Sequence, residues 1–412
     1  MQSLLILGRQ AELGLAEIES LYGADVVRAV GTQAAVIDVD PCLLAFDRLG
    51  GAMKFCKVLT TLETNGWQAV EDFLVKVSPD QSRTMPEGKM HLGLSLYDFK
   101  ESIHRIEATG LTVKKAIRKT GRSVRLVPNK TTDLNAAQVI HNKLTTQNGW
   151  ELVFVRDGEH IIVAQTVKVQ DIDAYTRRDR ERPMRDTKVG MLPPKLAQII
   201  INLSVGQLPA EKLQNICDIP AGTPIPFNLL NKTILDPFCG TGVVLQEASL
   251  MGYHVYGTDL EPRMIKYTEK NLEWLHDLYN MPDLESVLEV GDAIKHRWTV
   301  QRNFVAAETY LGRPFTSMPT PDVLNQTMSD CNLIIKKFLK NLHEQLEPGT
   351  RLCLAVPAWQ IGKNPLKRLP LVDQIQSLGY NQVSFEHTGN APLVYQRPDQ
   401  IVARELLVIT RK

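Results

Sequence analysis

The chain reads TILDPFCGTGVVL over residues 233–245, and this stretch decides the fold of its carboxyl-terminal half. It passes from an apolar strand through a glycine-rich turn into a helix that starts near Val243. Gly240 and Gly242 allow a tight turn and a close approach of the backbone to a ligand. Asp236 ends the strand, where its carboxylate can meet a cationic or hydroxyl-bearing group. The stretch therefore predicts a ligand-binding unit of strand, turn and helix.

Two further acids end the next two strands of the same series. Asp259 closes the strand VYGTD at residues 255–259, where a carboxylate can bind both hydroxyls of a ribose. Asp292 follows the third strand, where its side chain can accept a hydrogen bond from an adenine amino group. Three strand-end acids in register predict a nucleoside-binding site. The competing interpretation is that these acids are helix N-caps, which is a common role for aspartate.

A nicotinamide dinucleotide site is another interpretation of the glycine turn. The run from Gly240 to Leu245 has the first two glycines of the dinucleotide fingerprint, but Leu245 occupies the place of the third. No second mononucleotide-binding half is evident in the sequence. The pattern therefore disfavours a dehydrogenase.

Length and composition place the chain among ordinary globular proteins. Its 412 residues, of which 43% are hydrophobic and 23% charged, are enough for two or three domains of ~150 residues. The 47 basic and 46 acidic residues leave a net charge of +1, so affinity for an acidic partner must come from local patches. The six cysteines have no Cys-x-x-Cys spacing, which disfavours a zinc site and a disulfide framework.

No apolar stretch of the sequence approaches the ~18 residues that a membrane helix needs. The amino terminus has neither a basic leader nor a long apolar stretch, so it does not predict a secretory signal. We therefore expect a cytoplasmic protein that does not insert into a membrane.

Three series of secondary-structure elements follow one another along the chain. Residues 1–62 show a βαββαβ pattern, which predicts a small ferredoxin-like domain. Residues 63–170 predict a second α+β module that closes with a strand pair. The charged segment 171–190 predicts a linker. Over residues 191–412 strands alternate with helices, which predicts an α/β domain with a doubly wound, mostly parallel sheet whose ligand lies outside the strand carboxyl ends.

The sequence resembles a known family at several of these places. DPFCGTG at residues 236–242 is similar to the S-adenosylmethionine-binding loop of class I methyltransferases. RPMRD at 182–186 and VGMLPPKLAQ at 189–198 are similar to the segment before this loop in THUMP-containing tRNA guanosine N2-methyltransferases. LILGR at 5–9 and RLVP at 125–128 resemble the amino-terminal and THUMP segments of that family. The resemblance thus covers nearly the whole chain.

The resemblance implies a ferredoxin-like domain, a THUMP domain that binds the tRNA acceptor end, and a Rossmann-like catalytic domain that methylates an exocyclic guanine amine. It implies S-adenosyl-L-methionine as cofactor, tRNA as substrate and direct methyl transfer without a metal. It leaves open whether a small activating protein subunit is needed. The residues expected to bind the cofactor are Asp236, Pro237, Phe238, Cys239, Gly240, Thr241, Gly242, Asp259 and Asp292.

A run of basic residues without any acid lies in the second module. Seven positive charges within residues 114–130 attract a phosphate backbone by counterion release and hold its register without reading bases. The alternative interpretation is a solvated helix face. We expect RNA contacts from Lys114, Lys115, Arg118, Lys119, Arg122, Arg125 and Lys130.

The chain departs from the family at the end of the fourth strand. Amino methyltransferases of this group carry an acidic-Pro-Pro-aromatic motif there, whose acid accepts a hydrogen bond from the target amine and whose ring stacks on the base. This chain reads AAETYLGRP over residues 306–314. Glu308 is thus the candidate catalytic acid and Tyr310 the candidate stacking ring. The longer acid and the missing prolines predict a displaced acceptor.

Three interpretations of this altered loop stay open. The loop is remodelled yet active on a guanine amine, or it serves a different RNA nucleophile. Otherwise the chain is a catalytically impaired tRNA-binding scaffold or a partner-dependent subunit that retains the cofactor pocket.

Overall fold

The computed structural model describes residues 2–186, 192–217, 231–281, 286–299, 303–315, 317–361, 365–389, 391–398 and 400–412. The chain forms two compact units. The N-terminal unit comprises Met1–Ala11, Asp25–Phe46 and Ala52–Asp173, and the C-terminal unit comprises Glu12–Ala24, Asp47–Gly51 and Ala174–Lys412. Within the described part of the chain, no helix is both long enough and apolar enough to cross a membrane.

Strands and helices are numbered in chain order. The strands are β1 (Ser3–Leu7), β2 (Val27–Val30), β3 (Ala34–Ile37), β4 (Ala52–Leu62), β5 (Met90–Tyr97), β6 (Val124–Leu126), β7 (Gly149–Asp157), β8 (His160–Val169), β9 (Thr233–Asp236), β10 (His254–Asp259), β11 (Ser286–Val290), β12 (Phe304–Glu308), β13 (Arg351–Trp359), β14 (Tyr380–Gln382), β15 (Val394–Tyr395) and β16 (Val402–Arg411). The α-helices are α1 (Ala11–Tyr22), α2 (Trp67–Thr84), α3 (Ile103–Arg118), α4 (Ala136–His141), α5 (Ile172–Arg180), α6 (Pro194–Val205), α7 (Ala210–Cys217), α8 (Val243–Leu250), α9 (Pro262–Tyr279) and α10 (Pro321–His343).

The N-terminal unit is built on one sheet, which in the described residues has eight strands in the order β2-β3-β1-β4-β8-β7-β5-β6. Its first four strands have β1 between β3 and β4, each antiparallel to it, which is the arrangement expected of a ferredoxin-like module. Strand β4 also pairs with β8, so the sheet continues without a break into the second module.

The second module has the expected series of helices and strands. Helices α2 and α3 pack on the sheet through a buried apolar cluster that includes Trp67, Leu74, Ile106 and Val113. Strands β7 and β8 form the closing antiparallel pair. The buried residues of α2 and α3 recur at the three- and four-residue spacing of amphipathic helices.

The prediction of the second helix in the βαββαβ pattern is wrong. Between β3 and β4 the structure has only short 3-10 helices, at Pro41–Leu43 and Phe46–Arg48. The Asp40 carboxylate accepts a hydrogen bond from the Cys42 amide at 2.9 Å and caps the first turn. Glycines at 50 and 51 then end the segment before an α-helix can propagate.

The predicted linker contains a helix instead. In α5, Arg178 is buried and its Nε lies 2.7 Å from Glu247 Oε1, while the Tyr175 hydroxyl donates to Gln198. One of the charges that suggested an exposed linker, Arg178, is therefore paired inside the C-terminal unit, whereas Arg177 and Arg180 are exposed. Residues 187–191 lie outside the described residues, and the domain limits at 62, 170 and 190 stay predictions.

The C-terminal unit contains the expected doubly wound, Rossmann-like sheet. In the described residues its strand order is β11-β10-β9-β12-β13-β16-β14, and β15 pairs with β16. Strands β9 to β13 are parallel, whereas β16 runs antiparallel to β13 and β14. Strand β9 lies between β10 and β12, so the order of the strands reverses there. A ligand site is expected outside the carboxyl end at such a reversal.

Both faces of this sheet are covered. Along β13, Leu352, Leu354 and Val356 join the apolar cluster that α10 completes with Phe338. Cys353 points to the opposite face, where it is fully buried and where α6 contacts the strand. This burial explains why the strands read as continuous apolar runs.

A carboxylate from α1 is buried in the C-terminal unit. Glu17 accepts hydrogen bonds from the Gly50 amide at 2.9 Å, the Gly51 amide at 2.8 Å and the Asn202 side chain at 2.7 Å. A Cβ at Gly51 would lie 2.6 Å from Gly14 Cα, so only glycine lets the turn approach α1 this closely. Arg48 completes the network by donating Nε and a terminal nitrogen to Asn202 Oδ1.

This carboxylate makes the stability of the unit depend on pH. Burial raises the pKa of Glu17 from 4.5 to about 7, although its hydrogen bonds and Arg48 lower it. The pKa of Glu17 is higher in the folded state than in the unfolded state. The contribution of Glu17 to stability is therefore complete below pH 4.5 and is lost as pH rises to about 7. We expect the stability advantage of the wild type over Glu17→Gln to shrink by about 3 kcal/mol over this range.

Denaturant unfolding of both proteins between pH 4 and pH 8 measures this effect. The control is Glu12→Gln, a substitution at an exposed residue of the same helix. A wild-type advantage over Glu17→Gln that is the same at every pH would refute the assignment.

Candidate functional site

The glycine turn lies at the carboxyl end of β9, as expected. Gly240 has a φ of 52° and Gly242 a φ of 84°, and α8 begins immediately afterwards. The Cys239 amide donates to the Thr258 carbonyl at 2.9 Å, and the Gly242 amide donates to the Cys239 carbonyl at 2.7 Å. Both glycines therefore occupy the left-handed region that other residues avoid.

Helix α9 holds this turn through two polar residues that sequence reasoning missed. Thr268 Oγ1 donates to the Gly240 carbonyl at 2.8 Å, and Asn271 Nδ2 donates to the Thr241 carbonyl at 2.8 Å. Both side chains are fully buried. A Cβ at Gly242 would lie 2.7 Å from the Thr268 methyl, so this glycine also permits the helix to approach. In the sequence, these two residues could have been found as a polar pair at positions i and i+3 on the apolar face of an amphipathic helix.

Asp236 is buried at the centre of the site. Its Oδ1 accepts a hydrogen bond from the Phe238 amide at 3.1 Å. Burial raises the pKa of Asp236 well above its usual range, and the nearby carboxylates of Asp259 and Glu308 raise it further. Among the described residues no cation lies within ion-pair distance of Asp236. A positively charged ligand would stabilise this carboxylate.

Asp259 and Asp292 lie at the ends of the neighbouring strands. Asp259 Oδ2 accepts from the Gly240 amide and Oδ1 from the Glu261 amide, each at 2.9 Å. Burial raises the pKa of Asp259. Asp292 Oδ1 accepts from the Ile294 amide at 3.2 Å. Both acids thus accept hydrogen bonds from nearby backbone amides, as the interpretation of them as helix N-caps predicts. Each oxygen nevertheless keeps a second lone pair for a ligand.

Two exposed apolar side chains lie beside these acids and were also missed. Leu260, which follows Asp259, is 65% exposed, and Val290, at the end of β11, is 52% exposed. The backbones are adjacent, because Asp259 pairs with Val290 across the two strands. An apolar rim next to strand-end carboxylates fits a ligand that has both a flat ring and polar groups.

The remaining residues expected to bind the cofactor have structural roles. Phe238 packs edge-on against Phe338, with 4.9 Å between ring centroids, and is therefore part of the apolar core. Cys239 is buried, and the Thr268 hydroxyl lies 3.8 Å from its sulfur. Pro237 and Thr241 offer backbone carbonyls that Thr258 and Asn271 bind. These residues shape the turn.

Glu308 and Tyr310 are brought to the same edge of the sheet. Glu308 ends β12, which pairs in parallel with β9, and Asp236 is the last residue of β9. Arg404 Nε donates to Glu308 Oε1 at 2.7 Å. Tyr310 is 43% exposed. Thr309 binds the Ala355 carbonyl through its amide at 3.0 Å and its hydroxyl at 3.1 Å, and this double contact holds the loop where the family has proline.

The basic residues of the second module divide into two groups. Arg122 donates to the carbonyls of Ser82, Met85 and Pro86 and to Asn148 Oδ1, so it organises a loop. The others have no ion pair within the described residues, and all but Lys114 are exposed. This second group, which we call the basic patch, comprises Lys114, Lys115, Arg118, Lys119, Arg125 and Lys130.

In the described part of the chain, no group of three or more His, Cys, Asp and Glu side chains could hold a metal ion. The donor set suits an organic cation with hydroxyl and amino groups.

Comparisons with known proteins bear on this site. No family model matches the chain. A tRNA (guanine(10)-N2)-dimethyltransferase of Methanothermobacter thermautotrophicus is 30% identical over 217 residues, covering 52% of this chain and 53% of that protein. One from Pyrococcus abyssi is 30% identical over 185 residues, covering 44% of this chain and 42% of that protein. The chain thus spans about half the length of the curated relatives that it matches.

The crystal structure of TrmN from Thermus thermophilus is also similar, with a TM-score of 0.49 and 15% identity over 100% of both chains. The curated relatives confirm the resemblance that the sequence motifs indicated. Over about half its length, the chain is similar to tRNA (guanine(10)-N2)-dimethyltransferases.

Proposed function

We propose that the chain is an S-adenosyl-L-methionine-dependent methyltransferase that acts on the exocyclic N2 amine of guanine in tRNA. The observation that carries the proposal is that Asp236, Asp259 and Glu308 end three adjacent parallel strands, at the edge where the glycine turn follows β9. The names of both curated relatives support a tRNA guanine as the substrate. The basic patch supports an RNA partner, because its cations form no ion pair within the described residues and are available to phosphates.

The residues present fit the cofactor. When bound, S-adenosyl-L-methionine supplies a methyl group on a positively charged sulfur. Asp236 would bind its ammonium group, Asp259 its ribose hydroxyls and Asp292 its adenine amino group. Leu260 and Val290 would cover the adenine ring. Each assignment uses a chemical property of the site described above, namely a buried anion, a strand-end acceptor or an exposed apolar side chain.

The target amine would meet Glu308 and Tyr310. Glu308 Oε2 accepts a hydrogen bond from the amine and turns the nitrogen lone pair toward the methyl group. Tyr310 stacks on the base from its half-exposed position. Thr309 keeps both residues in place through its two bonds to the Ala355 carbonyl. Alignment of this kind is worth many orders of magnitude in rate, and it needs no nucleophilic side chain.

The ribose assignment predicts a loss of cofactor affinity in Asp259→Asn. The substitution removes the charge from an acceptor of two hydroxyls, and hydrogen bonds to charged groups contribute roughly 1.5–3 kcal/mol each. We expect the Kd for S-adenosyl-L-methionine in calorimetry to rise by about 10- to 100-fold. Asp277→Asn, at an exposed residue of α9, serves as the control. Equal affinity in wild type and Asp259→Asn would remove the ribose assignment.

Labelled methyl incorporation into unmodified tRNA tests the function itself. The wild type should transfer methyl groups from S-adenosyl-L-methionine to tRNA, and Asp236→Ala should abolish the transfer. Methyl transfer that requires the addition of a fraction containing small proteins would indicate that the chain is the catalytic subunit of a complex. Binding of both cofactor and tRNA without any transfer would favour a scaffold instead.

A further inference from the structure

A cation on the neighbouring strand holds the candidate catalytic acid. Arg404 lies on β16 and is only 6% exposed, and its Nε donates to Glu308 Oε1 at 2.7 Å. A terminal guanidinium nitrogen donates to Gln400 Oε1 at 3.2 Å. The backbone of Arg404 is fixed from both sides, because it pairs with Pro357 on β13 and with Tyr395 on β15. The guanidinium is therefore a rigid anchor.

The anchor leaves one oxygen of the acid available. Glu308 Oε2 has no hydrogen-bond partner within the described residues, and the Glu308 side chain is 16% exposed. Arg404 binds Oε1 through a charge-assisted bond, which is directional. This bond restricts the rotation of the carboxylate and leaves the lone pairs of Oε2 to a ligand.

The anchor also compensates for the altered motif. Glutamate has one more rotatable bond than the aspartate of the family motif, and the following prolines are absent. A glutamate without a partner would sample several rotamers. Among the described residues, Arg404 is the cation that forms an ion pair with Glu308.

We propose that Arg404 is a positioning residue, which holds Glu308 so that Oε2 accepts a hydrogen bond from the target amine. The proposal rests on the proposed function, since it explains how the methyltransferase site would bind the amine of its substrate. The group that Glu308 would recognise is an exocyclic amine of a nucleobase. A hydroxyl nucleophile would offer a single hydrogen and no second one to hold the base.

Kinetics of Arg404 variants test this role. Arg404→Ala should lower kcat by about 10- to 100-fold, since misplacement by an ångström costs that much. The KM for tRNA and the calorimetric Kd for S-adenosylhomocysteine should stay within about twofold, because the proposal has Arg404 act only through Glu308. Arg404→Lys should recover part of the rate, and added ethylguanidine should restore part of the activity of Arg404→Ala. A KM effect with unchanged kcat would overturn the proposal.

The matched control is Arg368→Ala. Arg368 forms the same kind of ion pair with Glu405, the next residue on β16, and that pair does not reach Glu308. If loosening β16 were enough to lower the rate, Arg368→Ala would lower kcat equally. We expect kcat to change less than twofold in this variant at a temperature where it is folded.

A double-mutant cycle shows whether Arg404 acts through Glu308. In a Glu308→Gln background, Arg404→Ala should lower kcat by less than a further threefold, because the carboxylate that Arg404 holds is already absent. Full additivity of the two losses would mean that Arg404 acts independently, and the proposal would fail.

A structural measurement separates this inference from the proposed function. If the wild type methylates no RNA, the function fails while the position of the acid can still be measured. Crystal structures of wild type and Arg404→Ala should show the Glu308 carboxylate displaced by about an ångström or more in the variant. A carboxylate that stays in place would refute the positioning role, whatever the activity.

Discussion

Glu308→Gln is expected to lower kcat for guanine methylation by about 100-fold or more. Glutamine keeps the length of the side chain and an oxygen that can accept from Arg404 Nε, which is 2.7 Å away in the wild type. The other position then carries an NH₂ group, which repels the hydrogens of the target amine. The nitrogen lone pair loses its alignment, while cofactor and RNA still bind.

The measurement is single-turnover methylation of unmodified tRNA, alongside calorimetry with S-adenosylhomocysteine. The Kd of the cofactor product and the KM of tRNA should change less than about threefold, because Glu308 acts on the reacting atoms. Glu289→Gln, which alters a partly exposed acid on β11, serves as the control. A Glu308→Gln enzyme with wild-type kcat would exclude Glu308 as the acceptor.

Charge reversal in the basic patch should have the second large effect. Changing Lys115, Arg118 and Lys119 to glutamate replaces three exposed cations of α3 and the turn after it with anions. We expect the Kd for tRNA to rise by about 100-fold and the slope of log Kd against log salt to fall by about three. The effect should be the same for every tRNA sequence, because phosphate contacts carry no base information.

The salt dependence needs a control with the same change in net charge. Lys336, Lys337 and Lys340 lie near the end of α10 in the C-terminal unit, and their reversal to glutamate changes the charge equally. We expect this control to keep the wild-type salt slope. Equal slopes in the patch variant and the wild type would show that the basic patch does not touch RNA.

The turn and its acids were predictable because they depend on local rules. Gly240 and Gly242 have positive φ values, and Asp236 and Asp259 end adjacent parallel strands, so the expected edge of the sheet contains them. Strand periodicity and turn chemistry act over a few residues, and the sequence displays both. The same rules predicted the doubly wound sheet.

The parts that were missed depend on contacts between distant residues. Arg404 and Glu308 are 96 positions apart, and Glu17 and Asn202 are 185 apart. No local pattern marks such a pair before the fold is known. Arg122 shows a second limit of local patterns. Counting charges gives it the same role as the other cations, whereas in the fold it donates to three carbonyls and to a side-chain amide oxygen.

The altered loop illustrates how tertiary contacts replace a motif. A Pro-Pro turn is rigid by covalent structure, whereas Thr309 obtains rigidity from two bonds to the Ala355 carbonyl. Arg404 likewise restrains the longer acid. The predicted displacement of the acceptor therefore does not follow from the missing prolines alone.

Nucleoside mass spectrometry of unmodified tRNA after incubation with the chain and S-adenosyl-L-methionine tests the central claim most directly. Digestion with a guanosine-specific ribonuclease before analysis maps the modified position, and position 10 is the first to examine because the names of both relatives specify it. We predict N2-methylguanosine or its N2,N2-dimethyl form, formed by the wild type and absent with Glu308→Gln. A methyl group on any other atom, or tRNA that binds together with the cofactor and stays unmethylated, would contradict the account.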